Sequence, residues 1–241
     1  MLRSAVGIIP ARYGSRRFPG KPLTKILGKP MLQWVYERAS SSPALKKIII
    51  ATDDERILDA ARLFDAETIL TSPEHASGTD RVAEVAKKLE DPLIINIQGD
   101  EPLIRGEMIT ALVEALQDNT ASMSTLAMKS RDEHLLKDAN TVKVIFDKEG
   151  YALYFSRSPI PYNSPQFWIH IGIYGYQREF LLDFSKLEPT FLENTEKLEQ
   201  LRALEYGYKI KIIESYHSTI SVDVPEDITK IESHLKKEGY A

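Results

Sequence analysis

Four cations crowd into ten residues near the start of the chain. Arg12, Arg16, Arg17 and Lys21 all lie in the stretch IIPARYGSRRFPGKPLTKILGKPML, which runs from residue 8 to residue 32. The chain as a whole carries a formal net charge of −4. Like charges held this close repel one another, so the stretch requires an anionic partner. Gly14 and Gly20 lie within it, and backbone N–H groups beside Arg and Lys side chains suit phosphates. It is not a Walker A loop, which has four residues between its glycines and Ser or Thr after its lysine. Here five residues separate Gly14 from Gly20, and Pro22 follows Lys21. The G-x-G-x-x-G fingerprint of a dinucleotide-binding oxidoreductase is absent as well. A turn that only solubilises a surface needs no glycines. The loop suits a nucleoside triphosphate about to lose pyrophosphate. Cleavage at the α-phosphate puts most of the charge on the leaving group, where fixed cations stabilise it as it develops.

The surrounding elements explain how such a loop is held. Val6–Pro10 reads as a strand that ends on the loop, and Pro30–Ala39 as the start of a helix. Lys47–Ala51 reads as a second strand. Thr52-Asp53-Asp54-Glu55 resembles a capping box opening a helix through Phe64. Thr68–Leu70 is a weak strand, followed by the loop TSPEHASGTDR and a helix to Leu89. Leu93–Gln98 is almost wholly aliphatic, as expected of a strand buried on both faces. This alternation predicts a mostly parallel sheet with helices on both faces, the Rossmann-like α/β class, with ligands beyond the carboxyl ends of the strands. Farther on, residues 142–146 and 152–155 flank a hairpin turn, DKEG. Ile171–Tyr176 and Ile210–Glu214 read as strands. Helices are expected near 178–185 and 194–206, with a last helix from about Pro225. The reading is one α/β domain over residues 1–241, with an antiparallel excursion near 127–176.

Bulk composition excludes several classes. There are no cysteines, which removes disulfides, thiolate metal sites and a cysteine nucleophile. The mild acidity, with no basic stripe outside the opening loop, argues against nucleic acid as a partner. No apolar run approaches the roughly 20 residues of a membrane span. A cytoplasmic protein without a targeting segment is expected.

PARYGSRRFPGKPL resembles the signature of the sugar nucleotidyltransferases that activate acidic sugars as CMP conjugates. The similarity continues in order through ATDDERI, ASGTDR, NIQGDEP, YALYFSR, HIGIYGY, LEQLR and VDVPEDI, nearly the whole chain. It implies CTP and 3-deoxy-manno-octulosonate (Kdo) as substrates, with CMP-Kdo for lipopolysaccharide synthesis and pyrophosphate as products. QGDEP and HIGIYGY favour Kdo; 8-amino-Kdo or a neuraminic acid is the alternative. A non-catalytic nucleotide sensor on the same fold is the rival from another class. The resemblance also implies a homodimer. The segment YNSPQFW, between SRSPIP and HIGIYGY, is shorter than in the family.

The same resemblance implies the site residues. Asp100 and Asp223 would hold Mg²⁺ on the nucleotide phosphates. Read alone, Asp100 is as readily a functional carboxylate as a turn former, and Asp223 reads first as a helix cap; Glu101 and Asp227 are assigned to structure or support. Pro10, Ala11 and Arg12 would lie near the base and ribose. Ser15, Arg17 and Lys21 would reach the phosphates, with Lys21 and Arg12 neutralising developing charge. Ser77, Gly78 and Arg81 would form the cytidine loop, although Thr79 and Asp80 read equally well as helix-cap residues. Gln98, Arg157, His170, Tyr174, Glu199 and Gln200 would bind the sugar. Without the resemblance, His170 is a structural histidine and the pair Glu199 and Gln200 is surface.

Overall fold

The structure, a computed structural model, describes residues 3–14 and 18–240. Their contacts divide the chain into two compact units, one of residues 3–110 and 219–240 and one of residues 111–218. In the first, β1 (Ala5–Ala11) leads into the opening loop. A short 3-10 turn (Lys21–Leu23) and a two-stranded ribbon of β2 (Lys25–Ile26) and β3 (Lys29–Pro30) precede α1 (Met31–Ser40). There follow β4 (Leu45–Thr52), α2 (Glu55–Arg62), β5 (Glu67–Leu70), α3 (Gly78–Ala86) and β6 (Leu93–Asn96). The sheet order is β6-β1-β4-β5, all parallel. Successive residues of its centre are inaccessible, among them Val6, Ile8, Ile9, Ile49, Ile50, Ile94 and Ile95. That is the aliphatic signature of a strand covered on both faces.

Register decides where the loops emerge. Pro10 lies opposite Ala51, Ala11 opposite Thr52, and Ile8 opposite Asn96. The carboxyl ends of β1, β4 and β6 therefore finish together, and the loops carrying Arg12, Asp53 and Asp100 start from one edge. The opening loop is closed by Gly20 N–H donating to the Tyr13 carbonyl at 2.9 Å. Gly20 has φ +72°, and a Cβ there would sit 3.2 Å from the Tyr13 ring, so this turn requires glycine. The helix after β4 is capped by Asp54, whose carboxylate accepts from Arg56 N–H at 3.0 Å. Thr52, the expected cap, belongs to the strand instead; its hydroxyl accepts from Asp54 N–H.

Helix α4 (Gly106–Glu114) leads into the second unit. There, β7 (Met123–Ser130) pairs antiparallel with β10 (Phe167–Gln177) and parallel with β11 (Ile210–Glu214). β8 (Lys143–Phe146) and β9 (Ala152–Ser156) form the expected hairpin, and β8 also pairs antiparallel with β10. The helices are α5 (Glu133–Lys137), α6 (Arg178–Phe184), α7 (Phe191–Glu196) and α8 (Gln200–Glu205). One helix over 194–206 was expected. Lys197 at φ +57° instead ends α7 and separates it from α8. β7 escapes the aliphatic pattern because Ser124 and Thr125, both fully buried, replace aliphatic residues. Helix α9 (Asp227–Lys237) returns the chain to the first unit, where Ile231 and Leu235 pack with Ile26, Met31, Trp34, Leu103 and Val222. Among the described residues no helix is long and apolar enough to cross a membrane.

Gly106, the first residue of α4, is a point of contact within the first unit. A Cβ there would fall 2.4 Å from Ser41 Oγ, 2.6 Å from Ser42 N and 2.7 Å from the Ser41 carbonyl carbon. Two of those atoms are backbone and cannot rotate away. Gly106→Ala is expected to destabilise the protein by about 1–3 kcal/mol, the usual cost of overpacking. Urea unfolding checks this, and an unchanged midpoint would contradict it.

Candidate functional site

The first unit carries a cleft of about 510 Å³ lined by Pro10, Ala11, Arg12, Gly14, Lys21, Pro22, Ala76, Gln98, Gly99 and Asp100. An adjoining recess adds Ser77, Gly78 and Arg81. These residues come from the loops that β1 and β6 feed and from the start of α3. The volume is within the range of small-ligand sites.

At the cleft floor the Lys21 ammonium donates to Asp100 Oδ2 at 2.6 Å and to the Val222 carbonyl at 2.8 Å. Val222 N–H donates back to the Asp100 carbonyl at 2.9 Å. Three segments distant in sequence are thereby joined, and Asp223 is brought to the residue after this clasp. Asp227 accepts from the N–H groups of Asp223 and Val224 at 3.1 and 3.2 Å. The support role expected of Asp227 is thus a hydrogen-bonded turn that shapes the Asp223 backbone. Glu101 turns into the core, 4% exposed, where the Ser221 hydroxyl donates to its Oε1. Burial pushes the Glu101 carboxyl up to about 7, and the charges of Asp100 and Asp223 add to the effect against the hydroxyls of Ser221 and Thr219.

Arg12, exposed at the cleft mouth, donates from Nη2 to the His75 carbonyl at 2.5 Å. That bond ties the opening loop to TSPEHASGTDR. Ser77 is the cap of α3: its hydroxyl accepts from Asp80 N–H at 3.1 Å, and the Asp80 carboxylate accepts from Ser77 N–H at 3.1 Å. The hydroxyl of Ser77 is therefore used locally, and Gly78 opens the helix. Arg81, 1% exposed, is an internal tie; Nη2 meets Asp53 Oδ2 at 2.9 Å and Nη1 meets the Thr71 hydroxyl. Gln98, expected at the sugar, lines the cleft and donates to Asn96 Oδ1 at 3.0 Å. Ser15 and Arg17 lie outside the described residues.

The second unit gathers the other expected residues. His170 and Tyr174 have ring centroids 5.5 Å apart. The Tyr174 hydroxyl donates to Gln200 Oε1 at 3.3 Å. Gln200 is 4% exposed and its Nε2 has no partner among the described residues, a buried donor that awaits an acceptor. Burial pushes the Tyr174 phenol up, with the Glu199 charge adding, and pushes the His170 imidazole down to about 3. Arg157, at the end of β9, donates from Nε to the Glu196 carbonyl at 2.8 Å and from Nη1 to the Ala139 carbonyl at 2.9 Å.

Two residues that fix Arg157 escaped the sequence reading. The Glu196 carboxylate accepts from Arg157 N–H at 2.8 Å and from the Ser156 hydroxyl at 2.6 Å. Although burial opposes it, these bonds hold the Glu196 carboxyl below its ordinary range. Lys143, fully buried, donates to the carbonyls of Asp138, Thr141 and Arg157 at 3.0, 2.6 and 2.5 Å. A lysine inside the aliphatic strand TVKVIF was the signal available for it.

Comparison with known proteins agrees with this geometry. Residues 6–213 match the profile of the family described as cytidylyltransferase. The 3-deoxy-manno-octulosonate cytidylyltransferase of Syntrophobacter fumaroxidans is 52% identical over 94% of this chain and 94% of its own. The enzyme of that name from Fusobacterium nucleatum is 49% identical over 96% and 97%. Among solved structures, CMP:2-keto-3-deoxy-manno-octonic acid synthetase complexed with CTP is 41% identical, with a TM-score of 0.93 over 98% of this chain and 99% of that one. The 4-diphosphocytidyl-2C-methyl-D-erythritol synthase of Anaerococcus prevotii, at 16% identity and a TM-score of 0.67 over 97% and 99%, shares the fold.

The Glu101 carboxyl generates a pH prediction for metal-free protein. Its folded pKa, about 7, lies above the ordinary 4.5, so the native state keeps a proton that the unfolded chain loses between those values. Stability from this group is complete below pH 4.5 and is lost as pH rises through 7. Relative to Glu101→Gln, which stays neutral, the unsubstituted protein should lose roughly 3 kcal/mol between about pH 4 and pH 8. Denaturant titrations in EDTA check it; parallel stability curves would contradict it.

Proposed function

Because the chain belongs to the cytidylyltransferase family, we propose that it transfers the cytidylyl group of CTP to 3-deoxy-manno-octulosonate, giving CMP-Kdo and pyrophosphate. One observation carries this reading: the first unit holds a nucleotide-sized cleft floored by the Lys21–Asp100 pair, on a chain whose near full-length relatives bear that activity. The C2 hydroxyl oxygen of the sugar forms a bond to the α-phosphorus. The hydroxyl proton passes to solvent, the bond from that phosphorus to the bridging oxygen breaks, and pyrophosphate leaves with the electron pair. Chemistry of this kind asks the protein for positioning and charge neutralisation.

Lys21 meets the leaving phosphates, and Arg12 holds the loop of residues 72–77 over the nucleotide through its bond to His75. Pro10, Ala11, Ser77 and Gly78 give the base a wall of backbone and short side chains. Arg81 shapes that wall from inside, through Asp53 and Thr71. Asp100 and Asp223 suit Mg²⁺, since two partly exposed carboxylates leave coordination positions for phosphate oxygens and water. Among the described residues no group of three His, Asp or Glu side chains could hold an ion alone. Bound there, Mg²⁺ would neutralise phosphate charge. In the second unit, Arg157 faces the sugar carboxylate, and His170, Tyr174, Glu199 and Gln200 supply the mixed donors and acceptors that hydroxyls need. The unpartnered Gln200 Nε2 supports that assignment. The reading includes a cytoplasmic homodimer serving lipopolysaccharide synthesis.

Pyrophosphate release with CTP and Mg²⁺ over a panel of Kdo, 8-amino-Kdo and a neuraminic acid tests the reading. Kdo is expected to give the highest kcat/KM; no release with any acid sugar would overturn it. In the same assay Asp100→Ala and Asp223→Ala should abolish turnover, and Lys21→Ala should lower it about 10²–10³-fold, the usual cost of one preorganised stabiliser. Full activity in any of the three would contradict the assignment.

Arg157 has two duties on this account, because two of its nitrogens already hold backbone carbonyls. Lysine is a point charge without the planar fork whose separate nitrogens hold those carbonyls. Arg157→Lys should raise the KM for Kdo strongly, leave the KM for CTP unchanged and lower Tm by a few degrees, as loss of about 1 kcal/mol would. A parallel rise in both KM values would make Arg157 structural only.

A further inference from the structure

The His170 ring has a partner that the sequence reading did not consider. Its Nε2 lies 2.9 Å from the hydroxyl oxygen of Thr125, a fully buried residue on β7. The same oxygen lies 3.1 Å from the Ile171 carbonyl and 2.9 Å from the Ile173 carbonyl. This convergence comes from an irregularity in the ladder. Ile171 pairs with Leu126, yet Tyr174 pairs with the next residue, Thr125, so Gly172 and Ile173 bulge out of β10. The His170 and Tyr174 rings, on either side of this bulge, lie 5.5 Å apart. Bulges re-aim side chains in this way and favour functional sites.

Hydrogen-bond accounting around Thr125 has one good solution. The hydroxyl has a single proton and two lone pairs. Two of its three neighbours are carbonyl oxygens, which only accept. If the proton pointed to His170, the lone pairs of Oγ1 would face two carbonyl oxygens at about 3 Å with no hydrogen between them. The proton therefore goes to the carbonyls, and Oγ1 accepts from His170 Nε2–H. A neutral imidazole protonated on Nε2 is bare on Nδ1. The ring's hydrogen bond among the described residues is the one from Nε2 to Thr125, which leaves Nδ1 free to accept. Phe155, edge-on at 5.0 Å, and Tyr174 hem the ring in this orientation.

We propose that Thr125 is a positioning residue that locks His170 as the Nε2–H tautomer, so that Nδ1 offers a hydrogen-bond acceptor to one sugar hydroxyl. This rests on the Kdo reading above and names what His170 contributes to it. Burial agrees, since it holds the imidazole neutral. An acceptor of this kind receives a hydroxyl proton without carrying charge, and it complements Gln200 Nε2, which donates.

Nitrogen-15 spectra of the histidine side chains test the lock directly, with His170 assigned by comparison with His170→Gln. In the unsubstituted protein His170 should show the Nε2–H pattern across neutral pH; an Nδ1–H pattern would overturn the proposal without any variant. Thr125→Val, nearly the same shape without the oxygen, should give mixed tautomers and a KM for Kdo raised about tenfold, the worth of one neutral hydrogen bond. The KM for CTP should be unchanged. Thr125→Ser should restore both the spectrum and the KM. Should the valine variant fail to fold, the unsubstituted spectrum and the serine variant still decide. An active protein whose valine variant keeps the tautomer and the Kdo KM contradicts the proposal. No pyrophosphate release with any acid sugar in the unsubstituted protein would sink the transferase reading and the sugar part of this inference with it, a failure distinct from a wrong tautomer.

Discussion

One ammonium group holds the cleft of the first unit together. Lys21 Nζ reaches a carboxylate 79 residues away and a carbonyl 201 residues away, at 2.6 and 2.8 Å. Through it the opening loop, the turn after β6 and the segment before α9 become one structure. The bond from Val222 N–H to the Asp100 carbonyl and that from Ser221 to Glu101 close the same junction. Asp100 and Lys21 keep 29% and 15% side-chain exposure, so a phosphate can compete for the ammonium. Lys21 and Asp100 neutralise one another, and in the proposed complex they are divided between phosphate and metal. Removing either member leaves the other charge partly buried and uncompensated, which is costly.

The residues proposed for the sugar depend on a different constraint, the geometry of β10. Its bulge folds His170 back towards Tyr174 and turns two carbonyls onto Thr125. Arg157 is fixed from two sides, by Lys143 on its carbonyl and by Glu196 on its N–H. Both contacts are hydrogen bonds between the Arg157 main chain and charged side chains, one from fully buried Lys143 and one to partly buried Glu196. The guanidinium is held in place by the Glu196 and Ala139 carbonyls, which would preorganise it for the carboxylate of the proposed substrate.

Much of this was legible in the sequence. The parallel strands announce themselves by unbroken aliphatic runs, and the cationic loop by charge density beside glycines. The ordered motifs led to the family. What the sequence hid is long-range hydrogen bonding. Nothing local in ASGTDR says that the Ser77 hydroxyl is used up in a cap or that Arg81 is buried against Asp53. Thr125 sits in a strand disguised by buried polar residues, and its role exists only because β10 bulges opposite it. The break between α7 and α8 falls at Lys197, a residue with no turn preference, in a left-handed conformation that local propensity disfavours. Asp54 displaced Thr52 as a cap because strand pairing had already claimed the threonine.

Phosphorus-31 spectra of CTP incubated with the protein, Kdo and Mg²⁺ test the central claim most directly. Cytidylyl transfer predicts that the three CTP resonances give way to one phosphodiester signal, from CMP-Kdo, and to pyrophosphate in equal molar amount. Persistence of CTP, or its conversion to CDP and inorganic phosphate without a phosphodiester, would contradict the account.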